Sequence, residues 1–150
     1  MEVKALGYYV NRAFFSLVRL LNKFLKERDL DIQHSEFSIL RVLKEIKGGS
    51  QTQLASILGK ERSGIGRTLS SLEAKGFINR ESLNGTTNFV TLTEKGQEVL
   101  PVLDEVIDQV TERAFKGFPQ KSRETLIKNL TKIYLNSLDT LPPPILKSYK

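Results

Sequence analysis

Two short helical patterns, separated by only three residues, constrain the fold of this chain more than any other feature. The first, "QTQLASIL", follows Ser50, which together with Gln53 has the spacing of a capping box. After "GKE", the second pattern places Ile65, Leu69 and Leu72 at i, i+4 and i+7, which is one buried stripe of a helix. This part of the chain is therefore predicted to form a helix, a tight turn and a second helix.

A β-hairpin is predicted directly after the second of these helices. Gly76 followed by Phe77 is typical of a left-handed helix stop with a hydrophobic residue behind it. Beyond it, "FINRESL" and "TTNFVTLT" flank Asn84-Gly85, the strongest short-range hairpin signal that a sequence offers. We expect a two-stranded ribbon between about residues 77 and 92.

Longer helices are predicted on both sides of this region. A first amphipathic helix covers about residues 5–28, and "SEFSILRVLKEI" forms a second helix that is closed by Gly48-Gly49. A fifth helix is expected from Thr93 to about Phe115, with a kink at Pro101, and a sixth helix follows it. The apolar stripe of the first helix consists of Leu6, Val10, Phe14, Leu17, Leu21 and Phe24. The stripe of the fifth helix consists of Val99, Leu103, Val106 and Val110, and that of the sixth helix consists of Leu126, Leu130 and Ile133. The 4-3-4 spacing in the fifth helix is typical of a coiled-coil seam.

The charge of the chain is unevenly distributed. The net charge is +6 and the isoelectric point is near 9.6. Residues 1–80 carry 14 Lys and Arg against 8 Asp and Glu, whereas residues 81–150 carry 9 of each, so the whole excess lies in the first part. A localised basic excess is the electrostatic pattern expected of a nucleic-acid-binding protein.

Composition removes several classes of function. The chain has no cysteine, which excludes thiol redox sensing, thiolate metal sites and disulfides. Its single histidine, His34, is expected in a loop near a helix start and cannot alone build a typical zinc site or a catalytic triad. Acids and bases are scattered over helix surfaces, so we expect no enzyme, no metal and no cofactor. No apolar run approaches the roughly 18 residues of a membrane helix, and the start does not resemble a signal peptide, so no membrane partner and a cytoplasmic location are expected.

The basic stretch "GKERSGIGR" has the glycines of a nucleotide-binding loop but not its pattern. A P-loop ends in Gly-Lys-Ser/Thr because the lysine must reach the terminal phosphates. From Gly59 the spacing leads to Gly64, but Ile65-Gly66 follows where the lysine and the hydroxyl residue are required. A dinucleotide fingerprint from Gly64 requires a glycine where Leu69 stands, and the preceding element is a helix rather than a strand. The stretch therefore favours the start of a helix that contacts DNA phosphates.

The segment "QTQLASILGKERSGIGRTLSSLEAKGFINRESLNGTTNFVTLTEKGQEVL" resembles the winged helix-turn-helix core of the multiple-antibiotic-resistance regulator (MarR) family. The resemblance covers residues 35–100 best, and "LEAKGFINR" and "VTLTEKG" are its most specific pieces. It implies a mainly α fold with a small β-hairpin wing (α+β), in a homodimer whose first and last helices interlock. This accounts for the long terminal helices and the seam of the fifth helix. The implied parts of the single domain are dimerisation helices at about 5–30 and 94–140, a winged-helix lobe at about 35–93, and a loose tail at 141–150.

The resemblance implies a sequence-specific transcriptional regulator, a repressor that binds a pseudo-palindromic operator in double-stranded DNA as a homodimer and is released by a small ligand. The second helix of such a motif lies in the major groove with its N-terminal residues on base edges. Lys60 and Arg62 are expected on phosphates, which position a protein without reading sequence. The candidate DNA-binding residues are Gln51, Thr52, Gln53, Lys60, Arg62, Ser63, Gly64, Gly66, Arg67, Ser71, Arg80, Thr86, Thr87 and Asn88.

Several of these residues have a second interpretation. Arg67 is expected to contact DNA, and otherwise is a solvated charge. Ser63 either touches a base or caps its helix. Residues 51–53 either bind a phosphate at the start of their helix or serve only as its cap. Arg80 either binds a phosphate or pairs with a nearby acid.

Two departures from the family pattern remove DNA contacts. Gly64 and Gly66 stand where the family commonly has threonine-like residues, and we interpret them as letting the helix backbone approach DNA closely. The wing tip reads Asn84-Gly85-Thr86, where the usual pattern is Asp-x-Arg and the arginine enters the minor groove. The alternative function is therefore a protein-interaction winged-helix dimer that has lost operator binding.

A small-ligand site is the last expectation that the resemblance carries. The family often binds small anionic aromatic molecules between the dimer helices and the DNA-binding lobe. Tyr8, Arg12, Phe15 and Arg19 on the first helix are the candidate residues for such a site. The alternative for the aromatic residues is a place in the dimer core.

Overall fold

The fold, described for residues 5–83 and 87–138 in a computed structural model, is mainly helical with a small antiparallel sheet. The predicted fold class is confirmed, and each expected helix and strand lies within a few residues of its predicted bounds. In chain order the elements are α1 (Leu6–Lys26), α2 (His34–Ile46), β1 (Gly49–Ser50), α3 (Gln51–Leu58), α4 (Arg62–Ala74), β2 (Ile78–Leu83), β3 (Thr87–Leu92), α5 (Glu94–Ala114) and α6 (Gln120–Asn136).

The predicted cap and stop signals determine where the middle helices begin and end. Ser50 Oγ accepts a hydrogen bond from the backbone N–H of Gln53 at 3.2 Å, which caps α3. Thr93 Oγ1 caps α5 in the same way, by accepting a hydrogen bond from the backbone N–H of Gly96 at 3.0 Å. Gly59 and Gly76 have φ values of 59° and 76° at the ends of α3 and α4, in the left-handed region that glycine adopts without strain.

The ends of α2 differ from the prediction. Gln33 and Glu36 form a capping box at its start, in which the backbone N–H of Gln33 donates to Glu36 Oε2 at 2.8 Å. His34 is the first residue of this helix rather than part of a loop. At the other end, the C-cap residue is Lys47, with φ 61°, and the predicted Gly48 follows it with φ 133°.

The sheet contains one strand that the sequence did not predict. Its order is β1-β3-β2, and β2 and β3 pair along their whole lengths as the expected hairpin. β1 pairs antiparallel with β3 through Gly49 with Val90 and Ser50 with Phe89. Because β1 runs directly into α3, the sheet fixes the start of α3 beside the wing.

One hydrophobic core joins the helix-turn-helix to α1 and α5. The predicted stripe of α4 is buried in it, and of the predicted α1 stripe Leu21 is buried and Phe24 is partly buried against the core. Its fully buried members are Leu25, Ile32, Ile39, Leu40, Leu43, Leu54, Ile65, Leu69, Leu72, Ile78, Val90 and Leu103.

The seam of α5 corrects the expectation that it faces a second chain. Val99, Leu103, Val106 and Val110 are at most 7% exposed, because α5 packs against α1 and α2 of the same chain. The helix continues through Pro101 without ending. None of the helices in residues 5–83 and 87–138 is both long and apolar enough to cross a lipid bilayer.

The apolar surface that the chain leaves uncovered lies near its two ends. Among the side chains whose burial the structure describes, every exposed large hydrophobic residue comes before residue 18 or after residue 117. In α6 no residue is buried. The exposed residues are Leu6, Tyr8, Tyr9, Val10, Phe14, Phe15, Leu17, Phe118, Leu126, Ile127, Leu130, Ile133, Tyr134 and Leu135.

Candidate nucleic-acid interface

The N-terminal half of α4 presents polar and basic side chains to solvent. Arg62, Ser63 and Arg67 are exposed, while the apolar stripe on the opposite face holds the helix to the core. The N-cap residue is Glu61, and its side chain makes no capping bond. The capping alternative for Ser63 is therefore wrong, because Ser63 lies inside the first turn.

Three positive charges lie together at this end of α4. Lys60 in the turn is exposed, like Arg62 and Arg67. In the part of the chain that the structure describes, none of the three forms a salt bridge. Glu61 is the one acidic residue in the sequence from Lys60 to Arg67, so this exposed stretch carries a net positive charge.

Gln51 and Gly66 are in contact with each other across the helix-turn-helix. Gln51 Nε2 donates to the backbone carbonyl of Arg62 at 2.8 Å. The same nitrogen lies 2.8 Å from the point where a Cβ on Gly66 would stand, so Gly66 leaves room for the Gln51 side chain. At Gly64, by contrast, nothing lies within 4 Å of the Cβ position, which agrees with a backbone that is open to close approach.

Arg80 is held against α4 by side chains of that helix. Its Nη2 donates to Ser70 Oγ at 2.9 Å, and its Nε lies 3.1 Å from Glu73 Oε2, close enough for an ion pair but not aligned as a hydrogen bond. Only 16% of the Arg80 side chain is exposed. The structure thus contains the acid pairing that was the alternative interpretation of this residue.

Ser71 also has a partner inside the lobe. Its hydroxyl donates to Glu36 Oε1 at 2.6 Å, and Glu36 is a buried carboxylate on α2. Lys75 Nζ donates to the other carboxylate oxygen, Oε2, at 2.9 Å and to the backbone carbonyl of Asp31 at 2.8 Å. Burial alone would lower the pKa of Lys75, but the hydrogen bonds and charges of Glu36 and then Asp31 outweigh it and raise that pKa. Sequence reasoning missed this cluster, although the Gln33–Glu36 capping-box spacing was visible.

The remaining candidates lie at the start of α3 and in the wing. Thr52 and Gln53 are exposed in the first turn of α3, and Asn88 is exposed on β3. Thr87 begins β3. The wing-tip prediction for residues 84–86, which includes Thr86, falls outside the described residues.

The only histidine in the sequence lies between α1 and the turn before α4. The ring of His34 meets that of Phe14 edge to face at 5.5 Å between centroids. Burial, and secondly the positive charge of Lys60, lower the pKa of His34 below its ordinary value. Both the burial and the charge of Lys60 therefore favour the neutral form of the His34 imidazole.

The predicted ligand residues share one exposed face of α1. Arg12 Nη1 donates to Tyr8 Oη at 2.8 Å, and its guanidinium carbon lies 5.4 Å from the centre of the Tyr8 ring. Arg12, Phe15 and Arg19 line an open depression of about 340 Å³. All of these side chains come from a single helix.

A larger groove that sequence reasoning missed lies between α2, β3 and α5. It has a volume of about 530 Å³ and is bordered by Lys44, Lys47 and Asp104. Asp104 accepts from Arg41 Nη1 and from Lys44 Nζ, each at 2.6 Å, so its charge is compensated. These contacts tie α2 to α5.

Two helices joined by a three-residue turn, with the second helix braced by a β-ribbon, define a winged helix-turn-helix protein. The model of the MarR family matches residues 32–85. A relative, the uncharacterised HTH-type transcriptional regulator YybA of Bacillus subtilis (strain 168), is 30% identical over 111 residues, which are 73% of this chain and 74% of the relative. The chain belongs to the MarR family of transcriptional regulators.

Solved structures agree with this fold. A MarR transcriptional regulator from Methanosarcina mazei Go1 superposes with a TM-score of 0.84 at 20% identity, over 94% of each chain. A point mutant of MarR from E. coli, complexed with operator DNA, superposes with a TM-score of 0.79 at 20% identity, over 89% of this chain and 99% of that chain.

Proposed function

We propose that this protein is a sequence-specific DNA-binding transcriptional regulator that acts as a homodimer on a pseudo-palindromic operator. The observation that carries the proposal is the exposed basic end of α4. Lys60 in the turn and Arg62 and Arg67 on α4 are exposed and, among the described residues, make no salt bridge. A helix with a charged, solvent-facing N-terminal half fits the major groove.

Each basic residue has a distinct role in the proposed complex. Arg67 lies one turn into the helix and is the candidate for bidentate contact with guanine, which is worth roughly 1–3 kcal/mol of discrimination. Lys60 and Arg62 bind phosphates. The open backbone at Gly64 lets the helix approach the base edges, with Ser63 beside it. Ser71 has an internal partner and is left out of the proposed contacts.

The proposed dimer is supported by the exposed apolar residues of α1 and α6. A monomer rarely exposes a large continuous apolar surface, and such surfaces mark interfaces. In a two-fold dimer the same patch of each subunit meets its counterpart, and the two recognition helices face two half-sites. The resemblance to MarR proteins, with their interlocked terminal helices, supports the same assembly.

Repression and release by a small ligand complete the proposal. A dimer that covers its operator blocks access to the DNA beneath it. Tyr8, Arg12, Phe15 and Arg19 supply a ring and two cations for an anionic aromatic effector. A panel of phenolic acids tests this part, since an effector raises the melting temperature and weakens DNA binding. If no member of the panel changes either quantity, this part of the proposal fails.

The main experiment starts with selection of genomic DNA fragments by the purified protein, followed by fluorescence anisotropy at several salt concentrations. We expect Arg67→Ala to abolish discrimination between the selected operator and random DNA. Arg113→Ala, at an exposed arginine in the last turn of α5, is the matched control and should bind like the wild type. Lys60→Ala should weaken binding to both DNAs and reduce the log–log salt slope by about 1 per chain.

Two outcomes contradict the proposal. If Arg67→Ala binds the operator like the wild type, α4 does not recognise DNA through this residue. If the wild type shows no salt-dependent binding to any DNA, the alternative is supported, namely an interaction module that has kept the fold and lost the operator.

A further inference from the structure

We propose that Gln51 and Gly66 form a positioning pair that sets the recognition helix α4 relative to the wing. In this role Gln51 determines operator specificity without reading a base itself. The inference rests on the proposed function, because it assigns a task to a residue at the same interface.

Gln51 lies where the sheet, α3 and α4 meet, and its side chain bonds α3 to α4. Gln51 is the first residue of α3 and directly follows β1, whose Ser50 pairs with Phe89 of the wing strand β3. Its Nε2 donates to the carbonyl of Arg62, the first residue of α4, at 2.8 Å. A displacement of the wing or of the start of α3 is therefore transmitted to the N-terminal end of α4.

Gly66 is the matching half of the pair. A glycine inside a helix reduces the helix-forming equilibrium constant by about fivefold relative to alanine. At this position the space that a Cβ would need is already occupied, because Gln51 Nε2 stands 2.8 Å from the Cβ point. Gly64, two residues earlier on the same helix, has no neighbour within 4 Å of its Cβ point, so the requirement is specific to Gly66.

A second set of bonds secures the same helix from the other wing strand. Arg80 of β2 donates to Ser70 Oγ at 2.9 Å, and the Ser70 hydroxyl donates to the carbonyl of Gly66 at 3.1 Å. Gln51 therefore acts on the first turn of α4 and Arg80 on its middle. Arg67 lies between the two attachments, and a bidentate arginine contact depends strictly on the position of its helix.

Five variants test the pair: Gln51→Ala, Gly66→Ala, the two combined, and, as controls, Gly64→Ala in the wild type and in the Gln51→Ala protein. In urea unfolding, we expect Gly66→Ala to stabilise the Gln51→Ala protein, in which the space is free, and to give no gain in the wild type. Gly64→Ala should stabilise both backgrounds equally. Such non-additivity is the signature of direct contact between two side-chain positions.

The DNA measurement separates positioning from stability. Well below the melting temperature, Gln51→Ala should reduce the ratio of operator to random-DNA affinity by about fivefold, the factor that one hydrogen bond of ordinary net strength produces. Gly66→Ala should reduce it similarly, and the double variant no further. A residue that only stabilised the fold would leave this ratio unchanged. Gln51→Glu, which keeps the length of the side chain but loses its N–H donor, should reduce the affinity ratio as Gln51→Ala does, because a carboxylate is repelled by the carbonyl of Arg62.

Three results overturn the inference. One is an unchanged affinity ratio in Gln51→Ala, and another is additivity of the Gln51 and Gly66 substitutions in urea. The third is wild-type protein without salt-dependent DNA binding, which overturns the proposed function and the positioning role together. In that case the urea measurements still show whether the two residues are in contact, so the two failures are distinguishable.

Discussion

Lys75 Nζ lies 2.9 Å from Glu36 Oε2, and Glu36 is only 2% exposed. The other oxygen of this carboxylate accepts from Ser71 at 2.6 Å. A carboxylate is strongly disfavoured in the interior unless a cation and hydrogen-bond donors compensate it. The pair therefore fixes the start of α2 to the last turn of α4, behind the recognition surface.

Lys75→Met leaves the Glu36 carboxylate buried without its cation. We expect the free energy of unfolding to fall by about 2–4 kcal/mol, near the usual range for breaking a buried ion pair. Adding Glu36→Gln removes the uncompensated charge and should recover most of the loss, as measured by urea unfolding. A double variant as unstable as Lys75→Met alone would contradict the interpretation.

The raised pKa of Lys75 also predicts a pH dependence. The contribution of Lys75 to the stability of the fold is complete below the ordinary pKa of 10.5 and is lost as the pH rises through the higher folded-state value. The stability difference between the wild type and Lys75→Met should therefore shrink at strongly alkaline pH.

Gly96→Ala is expected to destabilise the fold by about 3 kcal/mol, the upper part of the range for overpacking. The backbone carbonyl oxygen of Phe77 occupies the space where the new Cβ would stand, and backbone cannot move aside as a flexible side chain does. The same carbonyl accepts from Thr93 N–H at 3.1 Å, which fixes it further. Thermal unfolding followed by circular dichroism measures the effect. An unchanged melting temperature would show that the wing and α5 do not meet this closely.

Gly64→Ala should have opposite effects on stability and on DNA binding. The position is open, so alanine should stabilise α4 by up to about 1 kcal/mol through its helix propensity. If the helix backbone approaches DNA here, the added methyl group separates the surfaces and weakens operator binding. Urea unfolding and anisotropy on the same protein sample check both effects. A variant that is more stable and binds the operator unchanged would disprove the close approach.

The single histidine allows a direct test of the electrostatics near the turn. Proton NMR titration should give a pKa for His34 below 6.5, with burial as the main cause and Lys60 as the second. Lys60→Gln should raise this pKa, and so should operator DNA if Lys60 binds a phosphate, since the anion offsets the lysine charge. Because the folded-state pKa is the lower one, the neutral imidazole stabilises the fold above pH 6.5, and this contribution is lost as the pH falls through the folded-state value. A pKa at or above 6.5 in the free protein would contradict the buried position.

Ile133→Glu should convert the proposed dimer to a monomer, because it places a charge among the exposed apolar residues of α6. Multi-angle light scattering should then give 17.0 kDa in place of twice that mass. Asn129→Glu is the matched control, since Asn129 lies with Thr125 and Lys132 on the polar face of the same helix. Wild-type protein that scatters as a monomer at micromolar concentration would remove the basis for the dimer.

The sequence predicted the elements whose signals are local. Ser50, Thr93 and Gly76 act through bonds to residues within a few positions, so the caps and stops of α3, α4 and α5 were visible in the sequence. β1 was not, because two residues show no periodicity, and its pairing with Val90 of β3 spans about forty residues. The outward placement of Arg62 and Arg67 followed from the apolar stripe beside them.

The rest of the candidate site depends on contacts between residues that are far apart in the sequence, and the sequence pattern did not reveal these contacts. Nothing in the spacing of Ser71 indicated its partner on α2, so it was assigned to DNA, and for Arg80 the sequence left a phosphate contact and an acid pairing open without naming the partner on α4. Gly66 was interpreted as letting the helix backbone approach DNA, because it has no side chain. In the structure Gln51 lies beside it, although Gln51 is fifteen positions away in the sequence. The apolar spacing of the α5 seam is suited to packing against a helix of the same chain or of a second chain. The contacts of α5 with α1 show that the same chain covers the seam.

The absence of any buried residue in α6 has a consequence for how the protein responds to its own abundance. Among the described residues, no element covers α6 closely enough to bury any of its side chains, so this helix gains little stability from packing within that part of the chain. If a second subunit packs against α6, mass action couples the ordering of α6 to protein concentration, and the midpoint of unfolding rises as the protein is concentrated. Dilution would then disassemble the regulator and loosen its last helix in the same step. The amount of protein in the cell would itself act as a signal, before any effector is bound.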